Sequence, residues 1–309
     1  MTSLPVTVHR GPLDAGPAAE VRALAAEAAA TDGVEPLSEQ PLLALSTDPR
    51  STHVLAPAPD GSLAGYAQVG AGAPGEASAE LVVRPSVRRR GVGGQLLAAA
   101  RDVAQGRGSR TAPARHLSVW SHGDLPAARA LAASAGLSVV RELWLMSAEL
   151  ARPAARALPP LPRGVTVRAF VPGRDEEAWR WVNSRAFEHH PEQGRMTRQD
   201  LQARLSEPWF DAAGFLLAER DGVLLGSIWT KVHPAESTHG RVGEIYAIGI
   251  DPDAQGLGLG GALTARGLAH LTGLGLRRAI LYTEADNAIA IRTYARAGFA
   301  RTATDTQYA

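Results

Sequence analysis

The sequence predicts two tandem domains of the α/β class, each with a mixed, mostly antiparallel sheet and flanking helices. The chain has 309 residues, which is enough for two domains of ordinary size. A segment rich in proline and alanine, residues 151–164, separates two halves, and clustered prolines favour an extended spacer. We therefore predict domains at residues 1–150 and 165–309, joined by a linker at 151–164.

Matched landmarks in the two halves indicate a duplicated domain. Residues 80–94 align without a gap on residues 247–261, and three glycines coincide in the two segments. Each segment reads as an apolar run, a proline turn, a glycine-rich loop and the start of a helix. A second pair of landmarks, residues 135–137 and 297–299, ends the two halves in the same order, as expected for internal repeats.

Hydrophobic periodicity and turn residues predict the order of elements in the second half. A hairpin is predicted across Asp221-Gly222, and strands come before a β-α-β-α ending, which favours a mixed, mostly antiparallel sheet. In the first half, Leu96, Ala100 and Val103 recur at helical spacing and predict a buried helix face. The strands predicted in the second half are residues 165–170, 215–220, 224–232, 244–250 and 279–284, and the helices are residues 176–186, 258–274 and 288–297.

Composition and charge exclude several classes of protein. The net charge of +1 predicts no general attraction to nucleic acid or to anionic membranes. The N-terminus lacks the pattern of a signal peptide, and no apolar run is long enough to span a membrane. Cysteine is absent, which excludes disulfides and thiolate metal sites. We therefore expect a cytoplasmic monomer that binds no metal, no nucleic acid and no membrane.

Lysine occurs once in the chain, at Lys231, whereas the other 31 of the 32 basic residues are arginine. An ammonium is a compact point charge, and a guanidinium is a planar fork. One interpretation is that Lys231 lies where arginine cannot replace it. The other is that a single lysine persists by chance.

A glycine-rich loop at residues 255–260 precedes a predicted helix. Such a loop exposes backbone N–H groups and, with the helix dipole, forms an anion site suited to a pyrophosphate. Gly256, Gly258 and Gly261 also satisfy a dinucleotide-binding pattern, but residues 251–255 separate them from the strand, and the acid expected about 20 residues later is missing. A loop without a ligand is the third interpretation, which the repetition of the loop disfavours.

The loops resemble the acetyl-CoA signature of the GNAT N-acetyltransferases, Gln/Arg-x-x-Gly-x-Gly/Ala after a strand. Residues 88–93 and 255–260 both fit this signature, and residues 284–299 resemble the family's closing Asn…Ala…Tyr…Gly-Phe motif. The resemblance implies two tandem GNAT domains and acetyl-CoA as co-substrate. The acetyl-CoA contacts that it implies are Leu81, Val82, Val83, Arg89, Arg90, Gly91, Val92, Gly93 and Gly94 in the first half, and Ile248, Gly249, Ile250, Gln255, Gly256, Leu257, Gly258, Leu259, Gly260, Gly261, Asn287, Ala288, Ile289, Ala290, Ile291 and Arg292 in the second.

Acetyl transfer to an amine needs a base, a group that polarises the thioester carbonyl, and a donor to the leaving thiolate. Glu244 is the candidate base, and Tyr294 is the candidate donor. The resemblance implies that the backbone N–H of Ile250 or its neighbour polarises the carbonyl, through a bulge in this strand. The alternatives are that Tyr294 only packs in the core and that Glu244 is a solvated acid at a strand end.

The first half lacks both candidate catalytic side chains. Alignment on the closing glycines places Ala132 opposite Tyr294, and alignment on the proline turns places Ala77 opposite Glu244. We therefore expect the first domain to bind acetyl-CoA without turning it over.

Further segments resemble the mycothiol synthase family over essentially the whole chain. They are residues 32–40, 187–194, 209–211, 229–234 and 305–309. That resemblance implies acetylation of the cysteinyl amine of a cysteinyl-glucosaminyl-inositol, a small-molecule substrate whose hydroxyl groups require polar partners. The substrate contacts that it implies are Glu39, Glu192, Lys231, Glu244 and Tyr282.

One departure from the family and two alternatives remain open. The resemblance leads us to expect arginines in the second glycine loop, yet the loop begins Gln255-Gly256-Leu257. The phosphate charge would then rest on backbone N–H groups, with Arg292 as the candidate cation. The alternative functions are a tandem GNAT enzyme that acts on another amine and a non-catalytic acetyl-CoA sensor.

Overall fold

The computed structural model describes residues 6–71, 75–107, 114–150, 158–188, 193–234 and 240–309. The chain forms two compact units, the first consisting of Met1–Glu142 and Thr304–Ala309 and the second of Leu143–Ala303. These bounds differ from the predicted domain boundaries because the end of the chain returns to the first unit. Most of the predicted linker, residues 151–157, lies outside the described residues.

The first unit contains a sheet with the strand order β1-β2-β3-β4-β5-β12, in which only β4 and β5 are parallel to each other. Residues 304–309 of the chain belong to this unit, and residues 306–308 of the last strand pair here with β5. The strands are β1 (Thr7–Arg10), β2 (Thr52–Pro57), β3 (Leu63–Ala71), β4 (Glu76–Val83), β5 (His116–Ser121) and the end of β12 (Ala300–Tyr308), and the helices are α1 (Ala15–Asp32), α2 (Glu39–Ala44), α3 (Val92–Ala104) and α4 (Pro126–Ser134).

The second unit repeats this arrangement with the order β6-β11-β10-β9-β8-β7, in which only β10 and β11 are parallel. Its first strand consists of residues 143–149 of β6, which pair with β11. The strands are β6 (Val139–Glu149), β7 (Thr166–Ala169), β8 (Phe215–Arg220), β9 (Val223–His233), β10 (Val242–Ile250) and β11 (Arg278–Glu284), and the helices are α5 (Glu176–Ala186), α6 (Arg198–Leu205), α7 (Leu259–Gly273) and α8 (Ala288–Arg296).

The predicted fold class is confirmed, and the predicted elements of the second half are present within two residues of their predicted ends. The turn between β8 and β9 has positive φ at Asp221 and Gly222, as a two-residue hairpin of type I′ requires. Leu96, Ala100 and Val103 are buried against the first sheet, as their helical spacing predicts.

Two apolar clusters hold the second sheet in place. Leu259, Leu263 and Leu271 of α7 lie in a core cluster with strand residues such as Ile228 and Leu281. An aromatic cluster that includes Trp179, Phe215 and Trp229 belongs to the same unit, and Trp229 stacks on Phe215 with ring centroids 4.4 Å apart. No helix in the described part of the chain is long and apolar enough to cross a membrane.

Candidate active site

The parallel strands β10 and β11 separate part of the way along their length. Residues 243–245 pair with residues 279–281, but β10 continues to Ile250 and β11 to Glu284 without further pairing between them in the described part of this unit. On its other side, β10 shifts register with β9 between Ile245 and Ala247, which marks a β-bulge at Tyr246. The bulge that the resemblance implied is therefore present, and the sheet opens beside it.

The glycine-rich loop follows β10 and leads directly into α7. Gly256 and Gly258 have φ values of +79° and +81°, a conformation that glycine adopts without a Cβ penalty. The first helical hydrogen bond joins the N–H of Ala262 to the oxygen of Gly258, so the N–H groups of the preceding turn have no acceptor within the helix. A Cβ added at Gly256, Gly258, Gly260 or Gly261 would meet no atom within 4 Å. The loop thus offers N–H donors and open space, which a pyrophosphate fits.

An ion-pair cluster fixes the start of this loop. Arg185, near the end of α5, donates to both carboxylate oxygens of Asp251 at 2.8 and 3.1 Å and to Asp253 at 2.8 Å. The hydrogen bonds from Arg185 hold the pKa of Asp251 below its usual range. Asp251 also accepts from the N–H of Asp253 at 3.0 Å and so caps the short turn before the loop.

The candidate base Glu244 lies in β10 directly opposite Lys231 of β9. Cross-strand partners share a face of the sheet, and residues two apart on one strand share it too, so His233 lies on the same face. The Nε2 atom of His233 is 2.6 Å from Oε2 of Glu244, and the Glu244 side chain is only 9% exposed against 36% for His233. Glu244 is therefore a buried carboxylate held by an imidazole, and the alternative of a solvated acid is disfavoured.

The lone lysine lies against aromatic rings. The Nζ atom of Lys231 lies 4.5 Å from the ring centroid of Trp209 and 5.3 Å from that of Tyr246, the residue at the bulge. Arg204 of α6 donates from Nε to the hydroxyl of Tyr246 at 2.6 Å. Cation–π attraction holds an ammonium in such a position, and the contacts give Lys231 a defined place beside Glu244.

The candidate donor Tyr294 lies in α8 and is 7% exposed. Its ring packs edge-on against Phe299 within the core cluster, and burial raises the pKa of its phenol to about 12. Asn287 precedes α8 and caps it, since its Oδ1 accepts from the N–H of Ala290 at 3.0 Å. Ile289, in the first turn, is 73% exposed, which is unusual for a large apolar side chain and leaves it accessible to a ligand.

The first unit retains the open sheet and the loop but not the bulge. Strand β4 pairs with β5 over residues 76–80, and residues 81–83 continue without it in the described part of the unit. The pairing of β4 with β3 has no register shift, so the extra residue of β10 has no counterpart there. The residue at the position of Glu244 is consequently Ser78 rather than the predicted Ala77, and neither side chain is a carboxylate.

The loop of the first unit differs in charge from that of the second. The guanidinium of Arg88 donates to both carboxylate oxygens of Asp32 at 2.7 Å, and this ion pair competes with any contact to a coenzyme phosphate. Arg89 has a φ of +62° at the position of Gly256, and both Arg89 and Arg90 are exposed. Gly91 caps α3 in the left-handed region as Gly258 caps α7, so the two loops enter their helices with the same backbone conformation. Anion binding by the two loops stays a prediction.

The remaining predicted site residues are more scattered. Glu39 is the first residue of α2 in the first unit, and Tyr282 lies on β11 with 43% of its surface exposed. Glu192 lies outside the described residues. Gly249 faces away from the opening, since a Cβ there would come within 3.2 Å of Ala186 and Phe187, so any coenzyme contact at this position uses its backbone.

Sequence reasoning missed His233, Trp209 and Tyr246 as members of the site. His233 stands two residues after Lys231, and this spacing on a predicted strand was the available signal. No local signal placed Trp209 or Tyr246 against Lys231, because these contacts depend on how the loop before β8 folds back and on the bulge.

The class of protein follows from comparison with known families. The model of the acetyltransferase (GNAT) family matches residues 21–133 and 177–299, one match in each half. The chain therefore belongs to the acetyltransferase (GNAT) family, whose members use acetyl-CoA as the acetyl donor. The family match excludes the dinucleotide-binding interpretation of the glycine loop.

Individual relatives are similar over almost the entire chain. A mycothiol acetyltransferase of Cellulomonas flavigena is 60% identical over 98% of this chain and 88% of its own, and one of Sanguibacter keddieii is 54% identical over 98% and 96%. Among solved structures, a GCN5-related N-acetyltransferase of Sphaerobacter thermophilus has a TM-score of 0.69 at 25% identity and covers 99% of this chain and 96% of its own. A tandem GNAT protein from the clavulanic acid biosynthesis pathway has a TM-score of 0.71 at 20% identity, with 98% of each chain covered, and confirms the tandem fold.

Proposed function

We propose that this chain transfers an acetyl group from acetyl-CoA to the cysteinyl amine of 1D-myo-inositol 2-(L-cysteinylamino)-2-deoxy-α-D-glucopyranoside, the last step in the synthesis of mycothiol. The observation that carries the proposal is the group of Glu244, Lys231 and His233 on one sheet face, beside the bulge of β10. The high identity to mycothiol acetyltransferases over nearly the whole chain supports this choice of amine.

The chain's own residues fit acetyl-CoA, which supplies the activated acetyl group. The loop N–H groups of residues 257–261 would hold the pyrophosphate, and the exposed Leu257 and Ile289 offer apolar contact. A backbone N–H of β10, in the stretch up to Ile250 that is not paired with β11, would polarise the thioester carbonyl. Arg292 is exposed and is the cation nearest in sequence to Asn287, which the family motif places at the coenzyme.

Glu244 would accept the proton of the substrate ammonium, because only the free amine attacks the thioester. His233 holds one carboxylate oxygen, which leaves the other to face the amine. Lys231 lies opposite Glu244, with its ammonium over the ring of Trp209, and would donate to the hydroxyl-rich substrate. A buried carboxylate also attracts a cationic amine, so Glu244 serves in binding as well as in proton removal.

Tyr294 would stabilise the departing thiolate by donating a hydrogen bond. Its pKa of about 12 exceeds the pKa of a thiol, about 8.5, so full proton transfer would cost about 5 kcal/mol. A hydrogen bond carries no such cost. The first unit has Ser78 and Ala132 at the positions of the two catalytic side chains, and it would bind acetyl-CoA through residues 81–83 and 89–94 without turning it over.

The proposal is tested by acetyl-CoA turnover with three acceptors at equal concentration. The kcat/KM for the cysteinyl pseudo-disaccharide should be at least 100-fold above that for glucosamine or for a dipeptide amine. Each of these two smaller acceptors lacks two or more of the hydrogen bonds to charged groups that the full substrate makes, and each such bond contributes on the order of 1.5–3 kcal/mol. Equal kcat/KM for the three acceptors refutes the substrate assignment. The Glu244→Gln variant of the full chain should lose turnover and thereby show that the first unit does not catalyse it.

A further inference from the structure

The lone lysine of the chain lies on the sheet face that carries the candidate base. Lys231 pairs with Glu244 across β9 and β10, and directly opposite residues of two strands share a face. Its neighbour Thr230 faces helix α7, since a Cβ added at Gly267 would come within 3.3 Å of the Thr230 methyl group. Successive side chains of a strand point to opposite faces, so Lys231 points away from α7 and toward the side of Glu244.

Two aromatic rings hold the ammonium of Lys231 close to the bulge of β10. Its Nζ atom lies 4.5 Å from the ring centroid of Trp209 and 5.3 Å from that of Tyr246, the residue at the bulge. The proposed function assigns the thioester carbonyl to this same stretch of β10. The side chain of Lys231 is half-buried. The second unit therefore carries a primary amine of its own beside the candidate base and the place assigned to the acetyl donor.

The amine of a lysine belongs to the same chemical class as the acceptor of the reaction. Each is a primary amine that must lose a proton before it attacks a thioester. A tethered amine needs no binding step, so Lys231 competes for the acetyl group whenever acetyl-CoA is bound and the amine substrate is absent. Cation–π attraction favours the ammonium over the free amine, so transfer to Lys231 should be slow relative to turnover.

We propose that Lys231 is a self-acetylation site, which takes the acetyl group of acetyl-CoA bound to the same unit when no amine substrate is present. Glu244 accepts one proton of the ammonium, the N–C bond forms and the C–S bond of the thioester breaks. A second proton passes from the attacking nitrogen to the leaving thiolate, so the products are acetyl-lysine, free coenzyme A and one proton. The inference rests on the proposed function for the role of Glu244 and for the place of the thioester, but not for the identity of the amine substrate.

Self-acetylation changes how the site receives its substrate. An acetylated lysine has no charge and makes no cation–π contact, so the ammonium over Trp209 is lost. The site then lacks the donor that the proposed function assigns to the hydroxyl-rich substrate, and KM for the amine rises. The modification lowers activity when acetyl-CoA is abundant and the amine substrate is scarce.

The test incubates the full chain with acetyl-CoA that carries an isotopically labelled acetyl group, and mass spectrometry locates the label. Lys231 is the only lysine in the sequence, so the α-amino group is the only other primary amine. The label should appear on Lys231, at no more than one acetyl group on this residue. The cysteinyl pseudo-disaccharide at about ten times its KM should slow the labelling about tenfold, because it occupies the site.

Three variants separate transfer within the site from direct chemical acetylation. Glu244→Gln should abolish labelling of Lys231 and leave slow labelling of the α-amino group unchanged. Lys231→Arg should confine the label to the α-amino group. Asp102→Asn, which disrupts an exposed ion pair with Arg107 in the first unit, should label at the rate of the unmodified chain. The chain labelled at Lys231 should also have a higher KM for the amine than the unlabelled chain.

Three results overturn the inference: no label on Lys231, equal labelling in Glu244→Gln, or labelling that does not slow at an amine concentration that saturates turnover. Normal turnover with an unlabelled Lys231 overturns this inference alone. If the pseudo-disaccharide is not acetylated at all, the proposed function fails, whereas labelling of Lys231 without any amine still decides whether the chain acetylates itself.

Discussion

Replacement of His233 tests whether the activity of Glu244 depends on its hydrogen bond with the imidazole. The structure gives one hydrogen bond of 2.6 Å between Nε2 and Oε2 of Glu244. Hydrogen bonds to charged groups contribute about 1.5–3 kcal/mol. His233 is more than one third exposed, so solvent screens the interaction and the lower end of this range applies. A loss of about 1.4 kcal/mol corresponds to a tenfold lower rate.

We therefore expect His233→Phe to lower kcat about tenfold, because the carboxylate loses the group that orients it. His233→Gln is the matched control, since the amide nitrogen of glutamine can donate to the same oxygen, and kcat should stay within about threefold of the unmodified enzyme. Steady-state kinetics with the cysteinyl pseudo-disaccharide at saturating acetyl-CoA measures both variants. Thermal unfolding of each variant should shift by no more than about 2 °C, given the partial exposure of the side chain.

A double-mutant cycle with Glu244→Gln decides whether the effect passes through the carboxylate. If His233 acts only by orienting Glu244, His233→Phe adds little to the loss already caused by Glu244→Gln. Full additivity of the two losses, or an unchanged kcat in His233→Phe, would refute the reasoning.

Three further predictions concern the coenzyme loop, the lone lysine and the phenol. Gly260→Ala fills open space at a helical position and should raise KM for acetyl-CoA at least tenfold without loss of stability. The control Gly273→Ala, in the same helix, should leave KM for acetyl-CoA unchanged. Equal KM values in the two variants would contradict the assignment of the loop to acetyl-CoA binding. Lys231→Arg should raise KM for the amine about tenfold with kcat nearly unchanged, because a planar guanidinium can also stack on Trp209 but presents its N–H groups to the substrate in a different geometry from a compact ammonium. An unaltered KM removes that argument. Burial raises the pKa of Tyr294 to about 12, so the folded state favours the neutral phenol. This contribution to the free energy of unfolding is full below about pH 10 and is lost between about pH 10 and 12. In urea titrations across that interval, Tyr294→Phe should therefore lose less stability than the unmodified chain.

Much of the architecture was predictable because it depends on local pattern. The hairpin at Asp221-Gly222 follows from turn residues that accept positive φ, and the buried face of α3 follows from helical spacing. The glycine loops were visible because only glycine combines a left-handed turn with an open approach to the backbone. The order of strands and helices in the second half therefore needed no tertiary information.

Contacts between distant segments could not be predicted in this way. The bulge at Tyr246 adds one residue to β10 and changes the counterpart of Glu244 from Ala77 to Ser78, which no gapless alignment shows. The return of residues 304–309 to the first unit likewise depends on the backbone hydrogen bonds between the last strand and β5. The composition of the chain does not specify this pairing.

The sequence by itself determined a duplicated α/β fold, two glycine-rich loops before helices, and one half that carries the candidate catalytic side chains, because periodicity, glycine spacing and residue type are local properties. Only the tertiary structure decided that His233 holds Glu244, that Lys231 rests on Trp209, and that Asp305 meets His122. These contacts join residues brought together by strand register, by a bulge and by chain return. Their energies depend on burial, which a linear sequence does not specify.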